Sequence, residues 1–473
     1  MPNVASLLEI TNGTITAPAG CGKTHLIAET LRNNSAAKPV LVLTHTNAGV
    51  ASLRSKLDRL SVAPSKYRLS TIDGWAIRLA SLFPKRSGIA ADTLRLTDPG
   101  QHYPLIRKAA YKLLKENHLS DILKASYSHL IVDEYQDCSS YQHAIVYYAS
   151  KALKTCVLGD PLQAIFNFGS DGLADWENHV CKHFPIHTEL DIPWRWVNAG
   201  CEPFGRWLLQ VRGKLLSRQP IDLSAAPPEV QWVQLDGNDD HSKLLKASRE
   251  KPLNEDGGIL IIGESINADS RYRIASAVHG AVTVEAVDLR DLTGFANRFV
   301  LSNDTALAEI AAFAQILMTN VGANDLVTRV QTLLKGTARK EPSDVEKIAM
   351  HFVQAPTFAN AIGLLVEINK QSGVRVYRPA ILRACIQAMQ LCQSNSNLTF
   401  AEAAVRIREQ NRILGRPLPK KAVGSTLLLK GLEADVAIVH NADKLDARNL
   451  YVAMTRGCRK LVICSKSNVL NPR

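Results

Sequence analysis

The sequence predicts an α/β protein of two parallel-sheet lobes, each interrupted by a helical insertion. Three observations carry this reading. Short apolar, β-branched runs alternate with amphipathic stretches, the rhythm of strands buried beneath covering helices. Two long segments, about 80–124 and about 288–415, are helix-like and lack that rhythm. A glycine-bearing loop between the first apolar run and the first amphipathic stretch has the form of a phosphate cradle. The chain divides on this basis into residues 1–187, a first lobe with the earlier insertion, and 188–473, a second lobe with the later one.

In chain order, buried strands are expected at 13–17, 39–44, 129–132, 155–158, 258–262, 282–287, 436–439 and 460–464. The first insertion is basic, with Lys85, Arg86, Arg107, Lys108, Lys112 and Lys115. In the second, 305–320 and 378–393 read as helices. Proline and glycine punctuate the edges, at Pro84, Pro99-Gly100 and Gly415-Arg416-Pro417-Leu418-Pro419.

Composition narrows the classes. The 473 residues are 46% hydrophobic and 21% charged, proportions that exclude a disordered chain. No apolar run reaches the length of about 18 residues that a membrane helix needs. Residues 1–8 lack a basic stretch followed by an apolar one, so no secretory signal is expected. The nine cysteines are odd in number and include no C-x-x-C pair, which reads as reduced thiols in a cytoplasmic protein. Lys+Arg number 56 and Asp+Glu 44, and the resulting +12 favours a polyanionic partner while remaining compatible with a mildly basic enzyme.

The chemistry begins at Ala17-Pro18-Ala19-Gly20-Cys21-Gly22-Lys23-Thr24, between an expected strand and an amphipathic helix over 25–32. Its glycines let successive backbone N–H groups curl around phosphate oxygens, and the helix start adds positive potential. Lys23 is placed to reach the β- and γ-phosphates, and the Thr24 hydroxyl to hold Mg²⁺. The loop opens on Ala where Gly is usual. Downstream, the apolar run 129–132 ends in Asp133-Glu134, a carboxylate for Mg²⁺ and a second for activating water. A surface acidic pair is the plain alternative, but it leaves unexplained why the pair ends a buried strand. Together the loop and the pair point to NTP hydrolysis.

Asp133-Glu134-Tyr135-Gln136-Asp137, with Gly159-Asp160-Pro161-Leu162-Gln163-Ala164-Ile165-Phe166 after the next strand, resembles the UvrD/Rep/PcrA branch of superfamily 1 DNA helicases. Further elements follow in that family's order. Thr44-His45-Thr46-Asn47 resembles its T-x-T-N element, and Leu190-Asp191-Ile192-Pro193-Trp194-Arg195 its L-x-x-N-Y-R element, with Pro and Trp for Asn and Tyr. Lys430-Gly431-Leu432-Glu433 resembles K-G-L-E, and Leu450-Tyr451-Val452-Ala453-Met454-Thr455-Arg456 resembles the Y-V-A-x-T-R element.

The resemblance implies two RecA-like lobes with ATP and Mg²⁺ between them and DNA, single-stranded or at an end, as partner. It implies that Gln163 senses the γ-phosphate, and that Arg195 and Arg456, on the second lobe, act as arginine fingers. For each arginine a surface ion pair is the alternative. Trp194 sits where the family stacks an aromatic ring on adenine, whereas Trp196 reads as core. Gly431 and Glu433 would meet the ribose. The family's upstream adenine-reading Gln has no counterpart, since residues 1–18 contain no Gln.

Elements that grip the DNA strand depart from the pattern. The T-x-H element reads Thr71-Ile72-Asp73, which puts a carboxylate in place of a phosphate-facing imidazole. The aromatic stretch after Gln163 reads Phe166-Asn167-Phe168-Gly169, where Phe168 could stack a base but no Arg follows. The stretch Ser425-Thr426-Leu427-Leu428-Leu429-Lys430 lacks the family's His. Stacking a base on an aromatic is worth about 1–3 kcal/mol, so such losses weaken the hold on a strand. A DNA-stimulated ATPase is therefore expected, with poor processive unwinding.

More narrowly, length and compactness resemble the helicase-like subunit of Gabija antiphage systems, which implies an OLD-type nuclease as partner protein. A stand-alone repair helicase and a nucleotide-switched interaction module are the alternatives.

Weaker constellations remain. His179, Cys181, His183 and His187 lie close together and invite a zinc reading, but the spacing favours structural or surface histidines. The basic face at Arg107, Lys108, Lys112 and Lys115 is a solvated face unless it overlies DNA, and Arg416, Lys420 and Lys421 are further phosphate-binding candidates. Cys21 reads as a small loop residue whose oxidation could block the site.

Overall fold

The computed structural model describes residues 6–96, 98–166, 172–414 and 419–472, and in it the apolar runs form the strands of two six-stranded sheets covered by helices. The expected α/β class is the observed one. The strands of the first sheet are β1 (Asn12–Thr16), β2 (Val40–Thr44), β3 (Tyr67–Thr71), β4 (His129–Val132), β5 (Lys154–Gly159) and β6 (Ile186–Glu189), in the order β3-β2-β4-β5-β1-β6. All five pairings are parallel. Alternate side chains supply opposite faces, as a strand requires. Leu41, Leu43, Leu130 and Val132 face one core with Trp75, Ile106 and Ile145, while Val40, Val42 and Ile131 face another with Ile15, Ile27 and Leu53. The first insertion belongs to the former core. Its helix Pro99–Lys115 buries Ile106, Ala110, Leu113 and Leu114 there.

This strand order positions the site. The C-terminal ends of β1, β5 and β4 lie side by side, so the loops that follow them meet at one edge of the sheet, where open parallel sheets bind their ligands. β5 separates β1 from β4, so those strands are about 10 Å apart, and the loop after β1 carries its lysine across to the carboxylates that follow β4.

The remaining strands are β7 (Ile221–Asp222), β8 (Val230–Gln234), β9 (Ile259–Ile262), β10 (Val282–Thr283), β11 (Met318–Thr319), β12 (Arg375–Val376), β13 (Lys421–Gly424), β14 (Ala434–Val439), β15 (Gly457–Ser465) and β16 (Val469–Leu470). The second sheet runs β10-β13-β9-β14-β15-β8, with β9 parallel to both β13 and β14. The second insertion is a helical bundle, in which the Phe295 and Phe313 rings stack with centroids 4.0 Å apart. A buried guanidinium ties this bundle to the sheet. Arg378 donates to both oxygens of Glu285, beside β10, at 2.8 and 2.9 Å, and to Asp291 at 2.5 Å.

Some elements differ from expectation for identifiable reasons. β3 reads Tyr-Arg-Leu-Ser-Thr and is half-buried at a sheet edge, so it has no apolar run to betray it. β10 stops at Thr283, and two residues later Glu285 is committed to Arg378. The helix expected over 305–320 spans Ala306–Gln315, after which Met318–Thr319 pairs antiparallel with Arg375–Val376. The 415–418 part of the expected punctuation lies outside the described residues.

The chain forms two compact units, Met1–Trp232 with Ala442–Leu461 and Ser467–Arg473, and Val233–Asn441 with Val462–Lys466. These units are drawn differently from the 187/188 division. Trp194, Arg195 and Arg456 fall in the same unit as the phosphate loop.

Candidate nucleotide site

β1 ends at Thr16, and the chain turns through Ala17–Gly22 into helix Lys23–Arg32. The Ala17 amide donates to the Gly159 carbonyl at 2.8 Å, which binds the loop to the end of β5. Gly20 and Gly22 hold φ of +74° and +86°, a region that side chains resist. Space matters as well. A Cβ on Gly20 would fall 2.4 Å from the Trp196 ring, and one on Gly22 would lie 3.0 Å from the Trp194 ring. Gly22 caps the helix without a side chain, leaving the first-turn N–H groups, among them those of Lys23 and Thr24, directed at whatever fills the loop. The Ala19 amide donates to the Tyr451 hydroxyl at 3.2 Å. Cys21 is buried, and burial followed by the nearby Asp160 carboxylate pushes its thiol up to about 12. A thiol so held stays neutral and resists the oxidation that its place in the loop suggested.

The acidic pair follows β4 as expected. Asp133 is 6% exposed, and Lys23 Nζ lies 3.0 Å from its Oδ1 while also donating to Glu134 Oε1. Burial alone would lower the lysine pKa, but the Asp133 and Glu134 carboxylates raise it above the usual value, so Lys23 is a cation. Glu134 has φ +56°, in the left-handed region. Its other oxygen accepts from Gln136 Nε2 at 2.6 Å, and Gln136 Oε1 accepts from the Asp160 amide at 3.2 Å. Asp160, fully buried, accepts in turn from Gln163 Nε2 at 3.1 Å. Lys23, Glu134 and Gln163, separated in sequence, thus share one hydrogen-bonded network.

Of the two expected arginine fingers, Arg195 is bonded to the phosphate loop, whereas Arg456 is bonded to its own helix end. The Arg195 amide donates to the Gly20 carbonyl at 3.0 Å, and its guanidinium to the Thr455 carbonyl at 2.5 Å. Trp196 is 1% exposed and donates from Nε1 to the Gly457 carbonyl at 3.0 Å, as a core residue. Residues on both sides of Arg456 are therefore bonded to the segment that lies on Gly20. Arg456 itself is 3% exposed and donates from Nε to the Val452 carbonyl at 2.8 Å, so it is no surface ion pair. Trp194 is half-buried with its ring on Gly22. Gly431 and Glu433 are exposed residues of the other unit, in the turn between helix Thr426–Leu429 and β14. Thr24 and Asp133 supply hard oxygen donors of the kind Mg²⁺ takes alongside substrate phosphates, and so fit that ion.

Several secondary expectations change. Asp73 is not a lone carboxylate facing a strand. Arg107 donates to both its oxygens, at 2.7 and 2.6 Å, and Gln142 Nε2 adds a third bond at 3.0 Å. This takes Arg107 out of the basic face, while Lys108, Lys112 and Lys115 stay exposed. Lys420 and Lys421 donate to backbone carbonyls, of Glu255 and of Ser248 and Glu250, and are anchors of their own unit. Phe168 and Arg416 lie outside the described residues, whereas Phe166 sits 5.4 Å from the His45 ring. The zinc reading gives way to a stack. His183 Nδ1 bonds His143 Nε2 at 2.8 Å, and His143 Nδ1 bonds the Tyr135 hydroxyl at 2.9 Å. His179 Nδ1 accepts from the Asp175 amide at 3.2 Å. Among the described residues no three metal-ligating side chains come together, and no helix is long and apolar enough to cross a membrane.

Sequence reasoning missed Tyr451's hydroxyl, Gln136, Asp160, Arg212 and His143 as members of these networks. The first three lie inside quoted motifs. Arg212 and His143 carry no local signal, because only folding brings them to their partners.

No curated protein matches the chain. Among solved structures, the arterivirus nonstructural protein 10, a helicase in complex with DNA, is similar at 12% identity over 55% of this chain and 50% of that one, with a TM-score of 0.28. The chain therefore spans half the length of that relative. Residues 102–172 match the UvrD/REP helicase N-terminal domain family. The matched segment contains Asp133, Glu134, Gln136, Asp160 and Gln163, and over it the chain is similar to UvrD/REP helicases.

Proposed function

We propose that the chain is a DNA-stimulated ATP hydrolase of the UvrD-like superfamily 1 type. The observation that supports it most is Lys23, a buried cation from the helix after β1 held between Asp133 and Glu134 after β4, with Gln163 on the same network. On this reading Lys23 transfers its charge to the β- and γ-phosphates when ATP enters. That releases Glu134 to orient the attacking water and accept its proton. Thr24 and Asp133 would hold Mg²⁺, which would neutralise charge on the phosphate oxygens. Gln163 follows the γ-phosphate, and Arg195 and Arg456 offset the charge that builds in the transition state. Trp194 meets the adenine, on the strength of the resemblance alone.

DNA is the activating ligand, single-stranded or at an end. The engagement of Asp73 by Arg107 and the leucine at 427 make the grip on a track weak. The finer reading, a cytoplasmic subunit of a Gabija-like antiphage complex acting with an OLD-type nuclease, rests on the sequence resemblance. ATP turnover measured with and without single-stranded DNA and blunt ends tests the function, and a tailed-duplex assay run in parallel tests unwinding. Stimulation of turnover with little unwinding is expected. Turnover indifferent to every nucleic acid would remove the proposal, and efficient unwinding would favour the repair helicase. Co-purification with the nuclease tests the partner.

A further inference from the structure

Helix Glu202–Leu216 follows the Trp194-Arg195 segment and carries Arg212, whose side chain is 7% exposed. Its guanidinium serves two carboxylates. Nε and one terminal nitrogen donate to Asp160 Oδ1 at 3.2 and 3.1 Å, and the other terminal nitrogen donates to Glu189 Oε1 at 2.5 Å. Asp160 has no exposed surface, so its oxygens depend on protein donors in place of water. With Arg212 and the Leu162 amide on Oδ1, the second oxygen Oδ2 accepts from Gln163 Nε2. Because Oδ2 accepts from the amide nitrogen, this contact fixes which way the Gln163 amide faces and turns its carbonyl oxygen away. The Asp160 amide sets the orientation of Gln136 in the same manner, and Gln136 donates to Glu134.

We propose that Arg212 is a positioning residue for nucleotide hydrolysis, holding the Asp160 carboxylate in place so that Gln163 keeps its orientation. This rests on the hydrolase reading above. The role needs a planar fork, because three donors diverge from one group to two acids at fixed angles. A lysine ammonium keeps the charge but cannot span both.

The test is steady-state ATP turnover by Arg212→Lys, Gln163→Ala and the double variant, with thermal unfolding as a check on folding. Misplacing a positioned group costs up to about 10²-fold, so Arg212→Lys should lower kcat about 10- to 100-fold. Its KM should stay within about threefold of the wild type. In the Gln163→Ala background Arg212→Lys should have little further effect, because both act through one contact. Asp160→Asn supplies a second route should Arg212→Lys fail to fold. Its amide would place a donor against Gln163 Nε2, and the same loss of kcat is expected with Arg212 intact. An unchanged kcat in the folded variants would overturn this inference alone, as would the full Arg212→Lys loss repeated in the Gln163→Ala background. Absence of ATP turnover by the wild type would overturn the hydrolase reading and this inference with it.

Discussion

Lys23 and His143 show how burial and neighbouring charge divide the roles of single residues. Lys23 is buried yet stays charged, because two carboxylates compensate for its lost hydration. His143 is buried without an acid. Burial, then the charges that His183 and His179 can carry, lowers its pKa from 6.5 to about 4, and the Tyr135 hydroxyl completes its surroundings. The unfolded chain takes up a proton here below pH 6.5, whereas the folded chain refuses it until about pH 4. Stability from this residue is therefore complete above pH 6.5 and lost as the pH falls toward 4, by about 3 kcal/mol in all. Urea unfolding of the wild type at pH 7 and pH 4.5 should show the loss. His143→Gln should flatten that dependence, and an equally steep acid loss in the variant would refute the assignment.

Among elements, the pairing of Arg107 with Asp73 connects the first insertion to the start of helix Ile72–Leu82. Both side chains are 19% exposed, so solvent screens the pair only in part. Arg107→Ala should destabilise the protein by about 1–3 kcal/mol. Amide hydrogen exchange should quicken first in helix Pro99–Lys115, ahead of β4. Uniform protection across both elements would show that the pair does not anchor the insertion. The same pairing explains what the sequence could and could not disclose. The apolar strands β2, β4, β5, β9 and β14 were legible because a strand buried on both faces is apolar nearly throughout, whereas β1, Asn-Gly-Thr-Ile-Thr, was legible from the phosphate loop that follows it. β3 and β6 were not, since they lie at the two edges of their sheet and edge strands need no such run. Asp73 was legible as a departure from a family pattern, but its partner lies 34 residues away and becomes visible only in the fold.

For the whole molecule, the phosphate loop, acidic pair and Gln163 were readable because each is local in sequence and each ends a strand. Their convergence was implied only by resemblance. It is the order β4-β5-β1 that brings the three loops to one sheet edge, with Arg212 and Tyr451 added from helices far along the chain. The proposed function requires this convergence to hydrolyse ATP, with Glu134 acting on the water rather than on nucleotide binding. The most direct measurement compares ATP affinity and phosphate release for the wild type and Glu134→Gln. General-base groups contribute about 10²–10⁴-fold, so phosphate release should fall by at least about 10²-fold while ATP affinity stays within about threefold. Release at the wild-type rate by the variant, or failure of the wild type to bind ATP, would contradict the account.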